Sequence, residues 1–442
     1  MKLWRYLKLL LLSMLVWMLV LFIFFFQTTS NSSLEIASTS IRSVPAQHSI
    51  KPSTISQWTH STSSHHTNST QASSGLPVEG KGHSGDVGGK KKAVESSETH
   101  KLTPKKTVKI SEDWDEYFSN GRKVVYGLWM GLVSSNMLSV RLQKAKKAYT
   151  GVNQYNVTYV QRQSKQLEKQ ELLCQLKQQA QVRALDGAEE PFASLGWKHL
   201  VPSQPLLKLH GTPYKTCAVV SSAGAILKSS LGKEIDSHDA VLRFNSAPTE
   251  GYENDVGKKT TIRIINSKVM GEPEQNFKTS SLYKNLTLVA WDPSPYSSDL
   301  HQWYKNPDFD LFAVYKDYRT LSPEQPFYIL HPRFIWSLWN VLQANTNENI
   351  QPNPPSSGFI GIVLMMGLCE QIDVYEFIPS KRHTTLCHYY TKDRDMACTL
   401  GAYHPLLFEK LLVRRMATTS YSDFSNKGKV TLPGFSKITC PP

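Results

Sequence analysis

The sequence predicts an α/β domain in which a mostly parallel sheet lies between layers of helices. Short apolar runs typical of buried strands occur at 218–220, 239–244, 260–265, 286–291, 327–330 and 372–377,. Helical spacing is found at 226–235, 334–343 and 358–371,. Strands that alternate with helices favour a parallel sheet covered on both faces, because each crossover lays a helix against the sheet.

The globular part follows a leader with the pattern of a membrane anchor. Residues 9–26 are apolar except for Ser13, and basic residues come before them. At about 1.5 Å per residue this run nearly covers a hydrocarbon core of roughly 30 Å. The basic flank predicts a cytoplasmic tail at 1–8, and the bulky end at 24–26 offers no small-residue cleavage site. We therefore expect a retained signal anchor and a luminal remainder.

Residues 27–110 are rich in Ser, Thr, His, Gly and Lys, and they contain too few large apolar residues to offset the entropy of ordering,. We expect a disordered luminal stem there and one folded domain at 111–442. The formal net charge of +14 suits anions such as a nucleotide sugar or an acidic glycan, although much of it is solvated surface. Nucleic acid is not expected as a partner, because no finger, RNP-like motif or basic recognition helix is present.

Two helical segments begin the folded domain. The segment 114–149 carries aromatic residues at helical spacing, and its apolar patch at 124–133 is too short to span a membrane,. The segment 161–185 is rich in Gln and Lys and contains Cys174. We predict a helix that this cysteine fixes to the domain, in preference to a free helix that binds a partner.

Six cysteines lie beyond the leader, and an even number in a luminal domain favours three disulfides,. They are Cys174, Cys217, Cys369, Cys387, Cys398 and Cys440. None has the C-x-x-C spacing of a zinc site, and six cysteines allow 15 pairings. Asparagines in N-glycosylation sequons are Asn31, Asn68, Asn156 and Asn285,.

The stretch 217–267 reads as strand, Ser-rich turn, helix, strand, and then a further strand,. The turn at 221–224 begins the predicted helix, where free backbone N–H groups and the helix dipole favour phosphate. Asn245 and Asn266 follow two strands, at the carboxyl edge where open α/β sheets bind ligands. The turn matches neither G-x-G-x-x-G nor a P-loop, so from the pattern alone a structural unit without a ligand is an equal alternative.

His404 precedes Pro405 and a leucine-rich helical pattern. Proline favours the first helical turn, so His404 is expected at or near the N-cap. The helix dipole there would lower the pKa of the imidazole and keep a neutral base available. From the pattern alone, a histidine at this position is more often a cap than a catalytic group.

Four motifs, in order along the chain, resemble those of the animal sialyltransferase family. The stretch from Cys217 to Ser267 resembles the large sialylmotif, Pro-Pro-Ser-Ser-Gly at 354–358 the small one, His-Tyr-Tyr at 388–390 the third, and His404 with Glu409 the very small one. The text between them, including AVLRFNSAPT, QPFYIL, IQPNPPSSG and GAYHPLL, is similar to the β-galactoside α-2,6-sialyltransferases.

The resemblance implies a single Rossmann-like domain, a variant of the GT-A glycosyltransferase fold, with about seven mostly parallel strands. It also implies a Golgi type II membrane enzyme that transfers sialic acid from CMP-sialic acid to the 6-hydroxyl of terminal galactose in Gal-β-1,4-GlcNAc glycans, with inversion. The implied disulfides are Cys217–Cys369, Cys387–Cys398 and Cys174–Cys440. CMP-sialic acid is then a substrate, and no cofactor is expected.

The resemblance also implies roles for individual residues. His404 matches the general base that deprotonates the acceptor hydroxyl. Asp308 and Tyr403 match acceptor contacts. The positions that match the surroundings of the donor are Ser222, Asn245, Asn266, Ser356, Ser357, Gly358, His388, Thr399, Tyr403 and Lys410.

Three D-x-D tripeptides, at 113–115, 308–310 and 393–395, have the form that holds a divalent ion in many glycosyltransferases,. Because the implied donor carries a single phosphate, we interpret all three as incidental and expect no metal.

Two positions depart from the family pattern near the expected acceptor. Thr391 stands where an acidic or amide residue is usual, and Lys268 stands where the α-2,6 enzymes have Gln. The alternatives are therefore another linkage or acceptor, such as α-2,3 or N-acetylgalactosamine, and a luminal glycan-binding protein without catalysis. The sequence does not predict the oligomeric state.

Overall fold

The computed structural model describes residues 110–160 and 166–441. The predicted tail, anchor and stem up to residue 109, with Asn31 and Asn68, lie outside them. Within the described residues, no helix combines the length and the apolar character needed to cross a bilayer.

Seven strands form one sheet. They are β1 Tyr214–Val220, β2 Ala240–Phe244, β3 Ile262–Asn266, β4 Thr287–Trp291, β5 Phe327–Ile329, β6 Cys369–Tyr375 and β7 Lys429–Pro433. Their spatial order is β5, β4, β3, β2, β1, β6, β7, and every neighbouring pair is parallel except β6 with β7. The predicted seven-stranded, mostly parallel α/β sheet is confirmed.

The strand order reverses at β1. From β1 the chain moves outward through β2 to β5 on one side and then returns to place β6 on the other side. Val219 of β1 accordingly pairs with Leu242 of β2 and with Val374 of β6. Open α/β sheets bind ligands at such a reversal, beyond the carboxyl ends of the strands.

Helices cover both faces of the sheet. Their bounds are α1 Ile110–Met130, α2 Val140–Val152, α3 Lys169–Gln179, α4 Gly232–Asp236, α5 Glu253–Val256, α6 Ser267–Gly271, α7 Leu300–Lys305, α8 Phe312–Leu321, α9 Pro332–Ala344, α10 Ser357–Leu368, α11 Ala397–Leu400 and α12 Leu406–Met416. Single-turn 3-10 helices lie at Ser135–Met137, Trp197–His199, Leu206–Lys208, Gly224–Ile226, Pro273–Gln275, Ser281–Tyr283 and Phe435–Lys437, and Asp423–Lys427 forms a π-helical turn.

Alternate residues of β1 enter different cores. Cys217 and Val219 pack in the cluster that contains α10, whereas Ala218 and Val220 pack in another cluster on the opposite face. Both faces of the strand are therefore buried, as its continuous apolar run predicts.

Helix α10 is buried along most of its length and packs against the central strands. A Cβ added to Gly361 would come within 2.7 Å of the Phe244 ring and 2.8 Å of a Leu242 methyl group. The glycine thus lets the helix lie close to β2, and this packing fixes where the amino end of α10 meets the edge of the sheet.

The predicted helix at 226–235 is wrong. The structure has the 3-10 turn Gly224–Ile226 and, after a break, the short helix α4. Lys228 and Ser230 between them have left-handed backbones, with φ of 63° and 54°. Their N–H groups donate to the Asp255 carboxylate at 2.8 and 2.9 Å, so a side chain replaces the helical hydrogen bonds,.

Two helices end earlier than predicted, and one strand was missed. The helix predicted to run to 371 ends at Leu368, because Cys369 begins β6. The helix predicted at 161–185 is α3, which ends at Gln179. The chain then runs beside β5, where the Leu185 N–H donates to Ile329. The antiparallel strand β7 was not predicted.

The three implied disulfides are all present, as Cys174–Cys440, Cys217–Cys369 and Cys387–Cys398. Cys217–Cys369 joins β1 to β6 at the reversal of strand order. Of the described sequons, Asn156 and Asn285 are both exposed.

Candidate functional site

An open cleft lies beyond the carboxyl ends of β1 and β6. Three segments form its base: the Ser221–Ser222 turn after β1, the start of α10, and Glu376 with Phe377 after β6. Most of the residues that the motifs singled out line this cleft. They are Ser222, Asn245, Ser356, Ser357, Gly358, His388, Thr399, Tyr403, His404 and Lys410.

The amino end of α10 enters the cleft with its first turn exposed to a ligand. Ser356 is the N-cap, and its hydroxyl accepts a hydrogen bond from the Phe359 N–H at 3.2 Å. The Ser357 hydroxyl accepts from the buried Trp291 indole at 2.8 Å. Unpaired N–H groups and the positive end of the dipole make such a terminus a suitable site for phosphate.

Glu409 links the small and very small motifs. Its buried carboxylate accepts from the Ser356 N–H at 2.8 Å and from the Ser356 hydroxyl at 2.5 Å. Burial raises the pKa of Glu409 to about 7, and the two bonds from Ser356 work against that rise. The carboxyl group therefore holds Ser356 in place, and α12 and α10 are joined where they reach the cleft.

Lys410 places a cation at the cleft. It is buried, and its ammonium group donates to the Phe377 carbonyl. Burial lowers the pKa of Lys410 to about 8, while the charges of Glu409 and Glu376 favour the protonated form. At neutral pH the side chain stays mainly cationic, and it can balance the charge of a bound phosphate.

His404 is buried beside the cleft and has one fixed tautomer. Its Nδ1 lies 2.7 Å from the Pro354 carbonyl, which can only accept, so Nδ1 carries the proton,. Its Nε2 has no hydrogen-bond partner among the described residues. The free lone pair on Nε2 is therefore available to take a proton from a ligand.

His404 lies near the N-cap of α12, as predicted, and its burial is the main cause of its low pKa. His404 precedes Pro405, which is itself the N-cap of α12, so it lies one residue before the cap. Burial lowers the pKa of His404 to about 4, and the bond to Pro354 works against it. The imidazole is neutral near pH 7 as expected, and its removal from water is the main cause.

Two predicted residues lie outside the lining of the cleft. The Asn266 side chain caps α6 by accepting from the Val269 N–H at 3.0 Å. The backbone N–H of Asn266 donates to the side-chain oxygen of Asn245 at 3.1 Å, so the two asparagines are adjacent.

Asp308 lies near Tyr403, the residue that precedes His404. Its charge adds to the rise that burial causes in the pKa of both Tyr403 and Tyr155, whose hydroxyl groups are hydrogen-bonded to each other. Asp308 as a whole is exposed. Its carboxyl nevertheless has enough protein around it for desolvation to raise its pKa, and Lys268 counteracts this.

Sequence reasoning missed several groups at this site. Glu376, Phe377, His383 and Thr384 line the cleft, and Asp292 lies buried beneath Asp308, accepting from its N–H at 3.2 Å. The end of β6 was a usable signal for Glu376 and Phe377, because carboxyl ends of parallel strands meet at one edge. No local pattern marks the others.

The described residues include no cluster of three or more His, Cys, Asp or Glu side chains that could hold a metal. In the D-x-D tripeptide at 393–395, Asp395 is buried and already accepts hydrogen bonds. Its donors are the Tyr117 hydroxyl at 2.6 Å, Arg141 at 3.0 Å and the Ala397 N–H at 2.8 Å. This carboxylate stabilises the fold.

A mostly parallel sheet with a helix terminus and a neutral imidazole beside its strand reversal defines an open α/β protein with a cleft at the position where such sheets bind ligands,. Residues 159–421 match the family model of glycosyltransferase family 29 (sialyltransferase), and the chain belongs to this family. The resemblance seen in the motifs is thereby confirmed.

Similar curated proteins carry the name β-galactoside α-2,6-sialyltransferase 2. Those of Danio rerio, Takifugu rubripes and Homo sapiens are 59%, 60% and 58% identical to this chain. The alignments cover 75%, 73% and 75% of this chain and 65%, 61% and 63% of those proteins, so the chain spans less than two thirds of their length. A solved mammalian sialyltransferase is 22% identical to this chain, and the match covers 62% of this chain and 81% of the solved one. Its TM-score is 0.34, and no argument is based on it.

Proposed function

We propose that this chain transfers sialic acid from CMP-sialic acid to the 6-hydroxyl of terminal galactose in Gal-β-1,4-GlcNAc glycans. The observation that carries the proposal is His404, whose proton is fixed on Nδ1 and whose Nε2 is left without a partner among the described residues. Membership in the family and relatives of the same name support the choice of reaction.

His404 is the general base of the proposed reaction. As the galactose oxygen attacks the anomeric carbon of sialic acid, its proton moves to Nε2 of His404. The new bond forms as the bond from that carbon to the CMP phosphate oxygen breaks, so the configuration inverts. The Pro354 carbonyl stabilises the imidazolium that results, because it already accepts from Nδ1.

The donor half of the cleft handles the charge that leaves with CMP. The phosphate gains negative charge as its bond to the sugar breaks. The first turn of α10 and the Lys410 ammonium are both placed at the cleft to stabilise that charge,. The remaining groups assigned to the donor are Ser222, Asn245, His388, Thr399 and Tyr403, and Asn266 acts through Asn245.

The acceptor is assigned to the region around Tyr403, where Asp308 lies. A carboxylate there can accept hydrogen bonds from galactose hydroxyl groups. Lys268 forms an ion pair with Glu272 at 3.4 Å, and its charge counteracts the rise in the pKa of Asp308. This lysine is the observation that favours a second candidate, a different linkage or acceptor sugar for the same donor.

The proposed location is the Golgi membrane, as a single-pass type II protein with a tail at 1–8, an anchor at 9–26, a stem at 27–110 and a luminal catalytic domain at 111–442. The hydropathy of the leader and the three disulfides support this arrangement,.

The full-length protein, incubated with CMP-sialic acid and a lactosamine acceptor, is expected to give an α-2,6-linked product. NMR of the product identifies the linkage. An α-2,3 product, or transfer only to N-acetylgalactosamine, would support the second candidate. CMP binding without any transfer would contradict the proposed enzyme and favour a glycan-binding protein.

Transfer is expected to continue undiminished in EDTA, because the leaving group is a monophosphate and the charges that receive it belong to α10 and Lys410. Initial rates with and without excess EDTA, and after readdition of Mg²⁺ or Mn²⁺, measure this. Loss of activity that either ion restores would reinstate the D-x-D tripeptides as candidate ligands.

A further inference from the structure

Arg382 lies at the start of a chain segment that forms one wall of the cleft. The segment 383–388 supplies His383, Thr384, Leu386, Cys387 and His388 to the lining. Arg382 itself is outside the lining, and its side chain is about one quarter exposed. It is therefore placed to hold this wall without touching a ligand.

The Arg382 guanidinium joins three separate parts of the chain. Its Nε donates to the Ala225 carbonyl at 3.1 Å, in the turn after β1. Its Nη1 donates to the Asn426 carbonyl at 2.6 Å, and its Nη2 donates to the Lys427 carbonyl at 2.9 Å. Both carbonyls belong to the π-helical turn before β7. Nη2 also donates to the Glu376 carboxylate at 2.6 Å.

Glu376 is a buried partner whose position is itself constrained. Its side chain is fully buried, and its other carboxylate oxygen accepts from the Ser380 N–H at 3.0 Å. Its backbone is left-handed, with φ of 56°, and a Cβ on Gly428 would lie 2.3 Å from its carboxylate. A non-glycine residue holds this conformation only where its surroundings stabilise it.

The wall segment packs directly on the turn after β1. A Cβ on Gly224 would come within 2.6 Å of the Leu386 carbonyl, and the Tyr389 N–H donates to Ser222 at 3.0 Å. The bond from Arg382 to the Ala225 carbonyl holds the residue that follows Gly224 in this turn. Arg382 therefore adds a side-chain link between the wall segment and the turn after β1.

We propose that Glu376 and Arg382 act together as positioning residues that set the width of the donor half of the cleft. This inference rests on the proposed function. Glu376 lies at the base of the cleft, whereas Arg382 is outside its lining. They hold the wall segment and the turn after β1 at the separation at which Ser222 and His388 can act on the same ligand.

The test uses the full-length chain and its affinity for CMP, measured by calorimetry, together with KM for donor and for acceptor. Arg382→Gln is expected to weaken CMP binding and raise the donor KM about tenfold, while the acceptor KM stays within twofold. Arg382→Lys should behave alike, because an ammonium keeps the charge but cannot reach several carbonyls at once.

Arg183→Gln is the matched control. Arg183 makes an ion pair of the same length, 2.6 Å, with Glu189, and its backbone lies beside the β5 end of the sheet. It should leave CMP affinity and both KM values unchanged.

Glu376→Gln should weaken CMP binding in the same direction but by less, because it removes only the ion pair, whereas Arg382→Gln also removes the bonds to Ala225, Asn426 and Lys427. The double variant should be no worse than Arg382→Gln alone, since the ion pair is already lost there. All measurements are made well below each variant's melting temperature, so that loss of folded protein does not enter.

Unchanged CMP affinity in both Arg382 variants would overturn the proposal, as would equal rises in donor and acceptor KM. Failure of the unsubstituted chain to bind CMP would contradict the proposed function itself.

Discussion

Replacing His404 by alanine is expected to lower kcat by a factor of about 10² to 10⁴, the range that a positioned general base contributes. The substitution removes Nε2, the atom left without a partner among the described residues. It leaves the first turn of α10 and Lys410 unchanged, and these are the groups assigned to the phosphate. CMP should therefore bind within a few-fold of its original affinity.

The measurement compares kcat and CMP affinity in the same preparations. His238→Ala is the control, because His238 is also buried but is bonded to Asp373. It lies near the start of β1, where the N–H of the next residue, Asp239, donates to the Thr216 carbonyl. That variant is expected to lose stability and keep kcat. Substantial transfer by His404→Ala would remove His404 from the role of base.

The pH dependence of kcat/KM gives an independent check. The free enzyme should lose its base only as the pH falls towards about 4, because burial lowers the pKa of His404 to about that value,. An exposed histidine would lose activity near pH 6.5. His404→Ala should remove the fall in kcat/KM on the acidic side of this profile. If that fall lies near pH 6.5 in the unsubstituted enzyme, then the imidazole is hydrated and burial does not lower its pKa.

The sheet was the most predictable part of this fold. Its central strands are buried on both faces, so they stand out as continuous apolar runs bounded by polar residues. The edge strand β7 has alternating burial and a sequence, KVTLP, that ends in proline, and such a short pattern is hard to distinguish from a loop,. The helix predicted after β1 does not form, because the Asp255 carboxylate, about 25 residues away, accepts hydrogen bonds from backbone N–H groups of that segment.

The site was predictable only where a motif or a strand end marked it. Ser222 and Asn245 follow strands, and Ser356 precedes a helical run, so their meeting at one edge follows from topology. The contacts that orient them join distant positions, such as Glu409 with Ser356 or Arg382 with Ala225. Spacing along the chain contains no signal for such pairs, and the burial that lowers the His404 pKa likewise exists only in the folded protein.

Removal of the Cys217–Cys369 disulfide is expected to cause a large loss of stability. The bond closes a loop between residues 152 positions apart. Chain-entropy reasoning gives about 5 kcal/mol for a loop of that length. The variant Cys217→Ala/Cys369→Ala should therefore melt on the order of 10 °C lower, as calorimetry would measure.

The Cys387–Cys398 disulfide separates stability from function. Its residues are 11 positions apart, so the same reasoning gives about 3 kcal/mol,. Both cysteines line the cleft, whereas Cys217 and Cys369 lie in the core between β1 and β6. Cys387→Ala/Cys398→Ala should thus lose more CMP affinity and less thermal stability than Cys217→Ala/Cys369→Ala. The reverse ranking would mean that the bond between β1 and β6 positions the donor side, while the short loop stabilises the fold.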